Sequence, residues 1–282
     1  MKPSIKWVGG KSWLAPTIKA IYHYHSNRRL VELFCGAASV SLHVEPHQAL
    51  LNDINPYLVN FHRQWRLGAL TVDGALFGND EATYYANREK FNELIASDAG
   101  RHTTQAAQLF YYLNRTGFRG LCRFNKSGQY NVPFGHYKRL DYRRLLQTPR
   151  KFCRRWQISC GDFQQVKIRP YDCQYSLADF LYADPPYDQS FAAYDPSGFT
   201  WEDQERLARF LAKHDGPTIA SNFATERICN LYADHGFTLF QLQIKQKISV
   251  GDRNPVQELL AVRNVSPLAM EALIETLRKE PK

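Results

Sequence analysis

Between Ala183 and Ser190 the sequence reads ADPPYDQS, directly after SLADFLY (Ser176–Tyr182), a short apolar run bounded by polar residues that predicts a buried strand. The consecutive prolines Pro185 and Pro186 fix the backbone and donate no N–H. The Asp184 carboxylate and the Pro185 carbonyl are therefore left as pure acceptors at the strand's end. A planar amino group with a pair of N–H bonds satisfies both. Held that way, its nitrogen lone pair points out of the plane towards an electrophile, while Tyr187 stacks on the ring that carries the amino group. The plainer alternative is a turn in which Asp184 caps a helix and Tyr187 packs; placement at a strand end in an alternating α/β pattern favours the chemical assignment.

A second candidate is VELFCGAAS (Val31–Ser39), a strand running through Phe34 into Gly36 and the small residues Ala37 and Ala38 that begin a helix. Glycine there lets a ligand approach the backbone, and a helix start offers free amides. A tight turn without a ligand looks similar, and the GxGxxG spacing of a dinucleotide fold is missing, which counts against hydride transfer. The next strand ends in LNDIN at Asp53, an acid where α/β nucleotide sites bind ribose hydroxyls, so the pair points to a nucleoside-containing cofactor. WVGGKS (Trp7–Ser12) is not a phosphate loop, because Ile5 stands where the first glycine is required. Lys11 remains available to a carboxylate or a nucleic-acid strand, as does a solvated role.

The third is Tyr111–Arg139, which interleaves Arg115, Arg119, Arg123, Lys126, Lys138 and Arg139 with Phe118, Phe124, Tyr130, Phe134 and Tyr137. Cations neutralise phosphates or fork onto guanine, and an aromatic wedges where a base has left its stack. A solvated basic hairpin whose rings pack inward is the competing account.

These stretches need elements to hold them. Apolar patterning predicts a helix over Lys11–Tyr24, a strand over Leu30–Phe34, a short helix from Ala37 and a strand over Ala49–Asp53. Helical patterns follow at Tyr57–Arg66, Ala82–Ile95 and Gln105–Asn114. Strands return at Trp156–Cys160, Ser176–Tyr182, Pro217–Ser221, Thr238–Ile244 and Val256–Val262, with helices at Trp201–His214 and Ala224–His235. Alternation argues for a parallel sheet, and the last strands, with no helix between them, for an antiparallel edge hairpin. The chain is thus an α/β sheet interrupted by a mostly helical insert: residues 1–55 and 153–270 form the expected catalytic domain, 56–152 the insert, and 271–282 a tail.

Bulk properties agree. The 282 residues, 44% hydrophobic and 13% aromatic, exclude a fibrous or disordered class. A net charge of +9 suits a polyanionic partner. The six cysteines form no CxxC pair, so neither zinc site nor disulfide framework is expected, and no metal is called for. No signal sequence or apolar run of membrane-spanning length appears, so a cytoplasmic monomer with no membrane partner is expected.

In its motif order, KWVGGK (Lys6–Lys11), FCG (Phe34–Gly36), the insert with NVPFGHYK (Asn131–Lys138), then DPPY (Asp184–Tyr187), the chain resembles the DNA adenine methyltransferases of the Dam type over nearly its whole length. The resemblance implies a Rossmann-like seven-stranded methyltransferase sheet with a DNA-recognition insert, a bacterial or phage origin, S-adenosylmethionine as methyl donor and double-stranded DNA as partner. It further implies donor contacts at Trp7, Lys11, Phe34, Gly36, Ala37, Ala38, Asp53, Asp162, Phe163 and Asp184. For DNA it implies Lys6 on the first base of the site, Arg123 on a guanine, and Leu121, Pro133 and Tyr137 at base edges. Phe118 is implied to enter the duplex, with Arg115, Arg119, Asn125 and Lys138 beside it. Arg119 replaces the family's usual asparagine and Phe118 a tyrosine, which bears on GATC as the site. An amino-methyltransferase acting on RNA or cytosine N4, and a DNA-binding protein with a dead site, are the alternatives; the insert argues against the first and the intact motifs against the second.

Overall fold

A computed structural model of the chain describes residues 1–72, 76–142, 146, 151–171, 177–188, 198–244 and 256–279. Ser176 at the head of one predicted strand, Cys173, and Gln189 and Ser190 of ADPPYDQS lie outside them, as do residues 280–282. The strands are β1 (Leu30–Glu32), β2 (Ala49–Asp53), β3 (Gln157–Cys160), β4 (Phe180–Ala183), β5 (Thr218–Phe223), β6 (Thr238–Ile244) and β7 (Val256–Arg263). They form a seven-stranded sheet in the order β3-β2-β1-β4-β5-β7-β6. The pairs β2/β3, β1/β4 and β4/β5 are parallel, and β7 is antiparallel to both β5 and β6, so the edge hairpin expected from the sequence is present. The helices are α1 (Ala15–His23), α2 (Ser39–Val44), α3 (Pro56–Leu67), α4 (Glu81–Ile95), α5 (Asp98–Arg101), α6 (Thr104–Thr116), α7 (Trp201–Ala212), α8 (Glu226–Asp234) and α9 (Pro267–Lys279). Among the described residues no helix is long and apolar enough to cross a membrane.

By packing, the described chain falls into one unit of Met1–Ala15 with Cys35–Asp162 and another of Pro16–Phe34 with Phe163–Lys282. These follow density of contact, not the catalytic and recognition roles assigned from the sequence. Most of the C-terminal stretch 271–282 is helical, within α9, whose apolar residues recur at helical spacing and bury Ala269 and Leu273.

In the first unit, α3 starts where the Asn55 side chain accepts from Tyr57 N and Leu58 N, with Pro56 in the first turn, and stops at Gly68 in the left-handed conformation. Its face packs on α6, Phe61 lying 6.0 Å from Tyr111 in a stacked pair and 6.3 Å from Phe110. The short α5 was not expected; it exists because Ser97 caps it by accepting from Gly100 N.

In the second unit, β4 is entirely buried and lies beside β1, with Leu33 N donating to Tyr182 O at 3.0 Å. Both strands are shorter than predicted. Beyond Leu33 the chain leaves the ladder for the Gly36 turn. Residues before Phe180 are not strand because the carboxylate of Asp179, wholly buried, is spent on Arg29, at 3.0 Å from Nε and 2.6 Å from Nη2, and on Arg169 N at 2.7 Å. That two-pronged pair fastens the starts of β1 and β4. Removing one partner of a buried ion pair strands the other charge, so Asp179→Ala is expected to cost about 3–5 kcal/mol, read as a lower melting temperature, more than Asp98→Ala at an exposed pair.

Candidate active site

In the first unit the Gly36 turn is built by its own backbone and by one acid. Gly36 adopts φ +48°, and a Cβ placed on it would lie 2.7 Å from the Trp7 ring, so glycine alone lets the indole cross the turn. Gly36 N donates to Asp53 Oδ2 and Asn55 N to Asp53 Oδ1, both at 3.0 Å. Each carboxylate oxygen keeps a further lone pair for another donor. Burial raises the Asp53 pKa, against the pull of those backbone amides. His62, on α3, sets the other side of the turn: its Nε2 lies 2.7 Å from Gly36 O. Burial pushes the His62 pKa down to about 4, so the ring is neutral at ordinary pH and donates from Nε2 to the carbonyl. Ala38 is also left-handed, at φ 55°, where α2 begins. Lys11 is buried, its Nζ 2.7 Å from Gly9 O.

In the second unit β4 delivers Asp184, Pro185, Pro186 and Tyr187 in a loop that is clamped at every residue but one. Ser221 Oγ, on β5, donates to Asp184 Oδ1 at 2.8 Å and lies 3.1 Å from Tyr182 Oη. Gln204 Nε2, from α7, donates to Pro186 O at 2.9 Å, and Asn222 Nδ2 donates to Gln204 Oε1 at 3.0 Å. Asp188 N donates to Asn222 Oδ1 at 3.3 Å, and the Asp188 carboxylate takes the Arg227 guanidinium, which lies 4.7 Å over the Trp201 ring. Tyr187 donates its hydroxyl to Glu258 on β7, and its ring meets Phe223 edge-on at 4.7 Å. Burial, reinforced by the charges of Asp184 and Glu258, keeps the Tyr187 hydroxyl protonated well above its ordinary range. Asp184 is therefore not a helix cap. It sits partly exposed at the end of a buried strand, braced by a hydroxyl.

Phe34 and Phe163 also meet in this unit, 5.6 Å apart, with Phe199 5.6 Å from Phe34. Arg206 covers the Phe163 ring at 4.9 Å. The rings are tilted or edge-on to one another and form an aromatic cluster. Asp162, the neighbour of Phe163, is half-buried at the end of the first unit.

The basic stretch divides cleanly. Tyr130 packs on Phe91 at 5.9 Å and Phe134 on Tyr84 at 5.5 Å in the core of the first unit, while Phe124, half-buried, stacks on Tyr57 at 4.7 Å. Phe118 stays 43% exposed, with the Arg119 guanidinium 5.2 Å over its ring. Arg119 has φ 53°, a conformation that costs an ordinary residue about 1 kcal/mol and that asparagine tolerates better. Lys6 is pinned through its backbone by Asn114, with Oδ1 accepting from Lys6 N and Nδ2 donating to Lys6 O, both at 2.8 Å. Its ammonium lies 3.8 Å from the Tyr137 ring centre. Gly120 permits this, since a Cβ there would fall 2.4 Å from Lys6 Cβ. Arg123 forks onto Asn131 at 2.7 and 3.2 Å, while Pro133 and Lys138 are exposed and Leu121 half-buried.

Arg115 and Asn125 have partners within the first unit. Arg115 is half-buried, its Nη1 3.5 Å from Ser4 O, and burial lowers its pKa. Asn125 spends its side-chain oxygen on Ser127 N and Gln129 N, at 3.0 and 2.9 Å, building the hairpin turn. Sequence reasoning missed the supporting residues His62, Asn114, Gln204, Ser221, Asn222, Arg227 and Glu258. Only SNF after a strand, with polar residues at inward positions, carried any signal.

The family profile described as D12 class N6 adenine-specific DNA methyltransferase matches residues 7–248. The chain is 33% identical over 280 residues to the retron Ec67 DNA adenine methylase of Escherichia coli, covering 93% of this chain and 91% of that protein. It is 34% identical over 276 residues to the DNA adenine methylase of Vibrio cholerae and 33% identical to that of Escherichia coli K12, in each case over 92% of this chain and 94% of the relative.

Gly36→Ala is expected to cost about 1–3 kcal/mol, read as a lower melting temperature, because the turn must move off Trp7 and alanine resists the left-handed backbone. For His62, the unfolded chain takes up a proton near pH 6.5 and the folded chain only near 4, so its contribution is intact above pH 6.5 and declines as pH falls through that window. The loss amounts to about 3 kcal/mol by pH 4. His62→Phe is expected to be less stable at pH 7 yet to show a shallower fall in melting temperature between pH 6.5 and 4.

Proposed function

The chain belongs to the D12 class N6 adenine-specific DNA methyltransferases, and on that footing we propose that it methylates an adenine swung out of double-stranded DNA, within GATC or a closely related site, from S-adenosylmethionine. The observation that carries the reading is the Asp184 carboxylate at the end of a buried strand, braced by Ser221 on a chain that the prolines cannot let flex.

The residues suit such a donor. Asp53 retains acceptor capacity for ribose hydroxyls after serving Gly36 N and Asn55 N, and Phe34 with Phe163 offers apolar ring surface for an aromatic ring. Trp7, Lys11, Gly36, Ala37, Ala38 and Asp162 complete the set proposed to hold it. When bound, S-adenosylmethionine supplies the methyl group as an electrophile.

The protein's own work is to position. Asp184 Oδ2 and Pro185 O accept from the adenine amino group, turning its nitrogen lone pair out of the ring plane; Tyr187 lies against the base; the clamps on Pro186 and Asp188 keep these groups from drifting. Ångström-scale placement of this kind is worth orders of magnitude in rate. Asp184 orients the amine and stabilises the positive charge that develops on it; the proton leaves readily once the nitrogen is methylated. On the recognition side Phe118 is the exposed ring able to enter the duplex, Arg119 travels with it, and Lys6, Tyr137, Arg123, Leu121, Pro133 and Lys138 face the bases and backbone.

Asp184→Ala is expected to reduce methyl transfer from labelled donor at least about a thousandfold while the affinity for a GATC duplex changes by less than about threefold. Retained transfer would overturn the assignment. Arg119→Asn is expected to shift the set of adenines methylated in host DNA, read by sequencing modified bases, and to raise thermal stability slightly by relieving the left-handed backbone.

A further inference from the structure

Glu258 is out of character for its place. It lies on β7, between β5 and β6, opposite Phe223 on one side and Leu242 on the other, and is 4% exposed. Leu259, Leu260, Ala261 and Val262 follow it in the strand, all fully buried. A carboxylate in such company gives up its hydration and persists only where a strong donor compensates it. The Tyr187 hydroxyl is such a donor, and burial beside that carboxylate keeps it protonated.

The geometry constrains the ring. A tyrosine fixed only at its backbone can rotate about its side-chain bonds; anchored at the phenolic end and met edge-on by Phe223 at 4.7 Å, it holds one plane. The neighbouring strand does the same for the acid next to it, through Ser221 and Asp184 at 2.8 Å. Acceptor and ring are thus referenced to β5 and β7, which share a rigid ladder in which Ser221 pairs with Leu260 and Phe223 with Glu258.

We propose that Glu258 is a positioning residue for methyl transfer: by holding the Tyr187 hydroxyl it sets the plane of the ring against which the extruded adenine lies. The proposal rests on the reading that Tyr187 stacks on the target base. Phenylalanine at position 187 would present the same face but not the same angle.

The test compares wild type, Glu258→Ala, Glu258→Gln, Tyr187→Phe and the double variant Glu258→Ala with Tyr187→Phe, using a GATC duplex and labelled S-adenosylmethionine. Glu258→Ala is expected to lower kcat roughly 10- to 100-fold with KM for DNA within about twofold, and Glu258→Gln, which keeps an accepting oxygen, to stay within about threefold of wild type. In the Tyr187→Phe background, Glu258→Ala is expected to cost no more. Unchanged kcat in Glu258→Ala, or losses that multiply in the double variant, overturn the proposal. Thermal unfolding of the same proteins gives a readout that needs no activity: the melting shifts of the single variants should fail to add, and additive shifts overturn the brace. A wild type that transfers no methyl to any adenine-containing duplex overturns the proposed function instead, and the melting cycle still decides whether Glu258 and Tyr187 act together.

Discussion

A carboxylate at the end of a buried strand, at the start of a short loop, has to be held in place by its own protein. Asp184 meets that constraint through the company it keeps. Its strand is buried, its following residues are prolines, and Ser221 donates to Oδ1 from the next strand. The rest of the second unit reads as a consequence. Gln204 fixes the Pro186 carbonyl, Asn222 fixes both Gln204 and the Asp188 amide, and Arg227 closes the loop over Trp201. Removing the flexibility of one short loop takes polar side chains from β5, β7, α7 and α8, most of them in positions where an apolar residue would pack more cheaply.

The first unit solves the matching problem at Asp53 with backbone in place of side chains. Amides of Gly36 and Asn55 face the acid, and the neutral ring of His62 holds the opposite side of the turn through its carbonyl. Such a turn tolerates very little change, since Trp7 occupies the space that any Cβ at Gly36 would need. Rigidity around both acids comes from unlike means, packing and side-chain clamps in one case and main-chain amides in the other.

The sheet was largely legible in the sequence because its strands are short apolar runs between turn residues, and β2 and β6 begin and end where the pattern does. Where the pattern misled, a particular polar group intervened. Asp179 reads as one polar residue within an apolar run, yet its pairing with Arg29 takes it out of the ladder. DPPY and the FCG turn stood out in the sequence because consecutive prolines beside an acid, and a glycine between a strand and small residues, constrain the backbone in ways the residue types alone reveal. Their supports were not visible, because a serine, an asparagine or a glutamate on a strand looks alike in sequence whether it faces solvent or the back of a catalytic loop. In the insert, alternation of basic and aromatic residues could not separate Phe118, which is exposed, from Tyr130 and Phe134, which fill the core, or from Phe124, which stacks half-buried on Tyr57; only tertiary packing makes that distinction.

The clasp between Asn114 and the backbone of Lys6 spans 108 positions of chain. During biosynthesis the lysine leaves the ribosome early, but nothing can seat it until the C-terminal turn of α6 has emerged and coiled. Its seat is therefore assigned late, by a helix that also forms the middle of the first unit, so a nascent or clipped chain lacking that helix would carry the KWVGGK segment without the side chain that holds it.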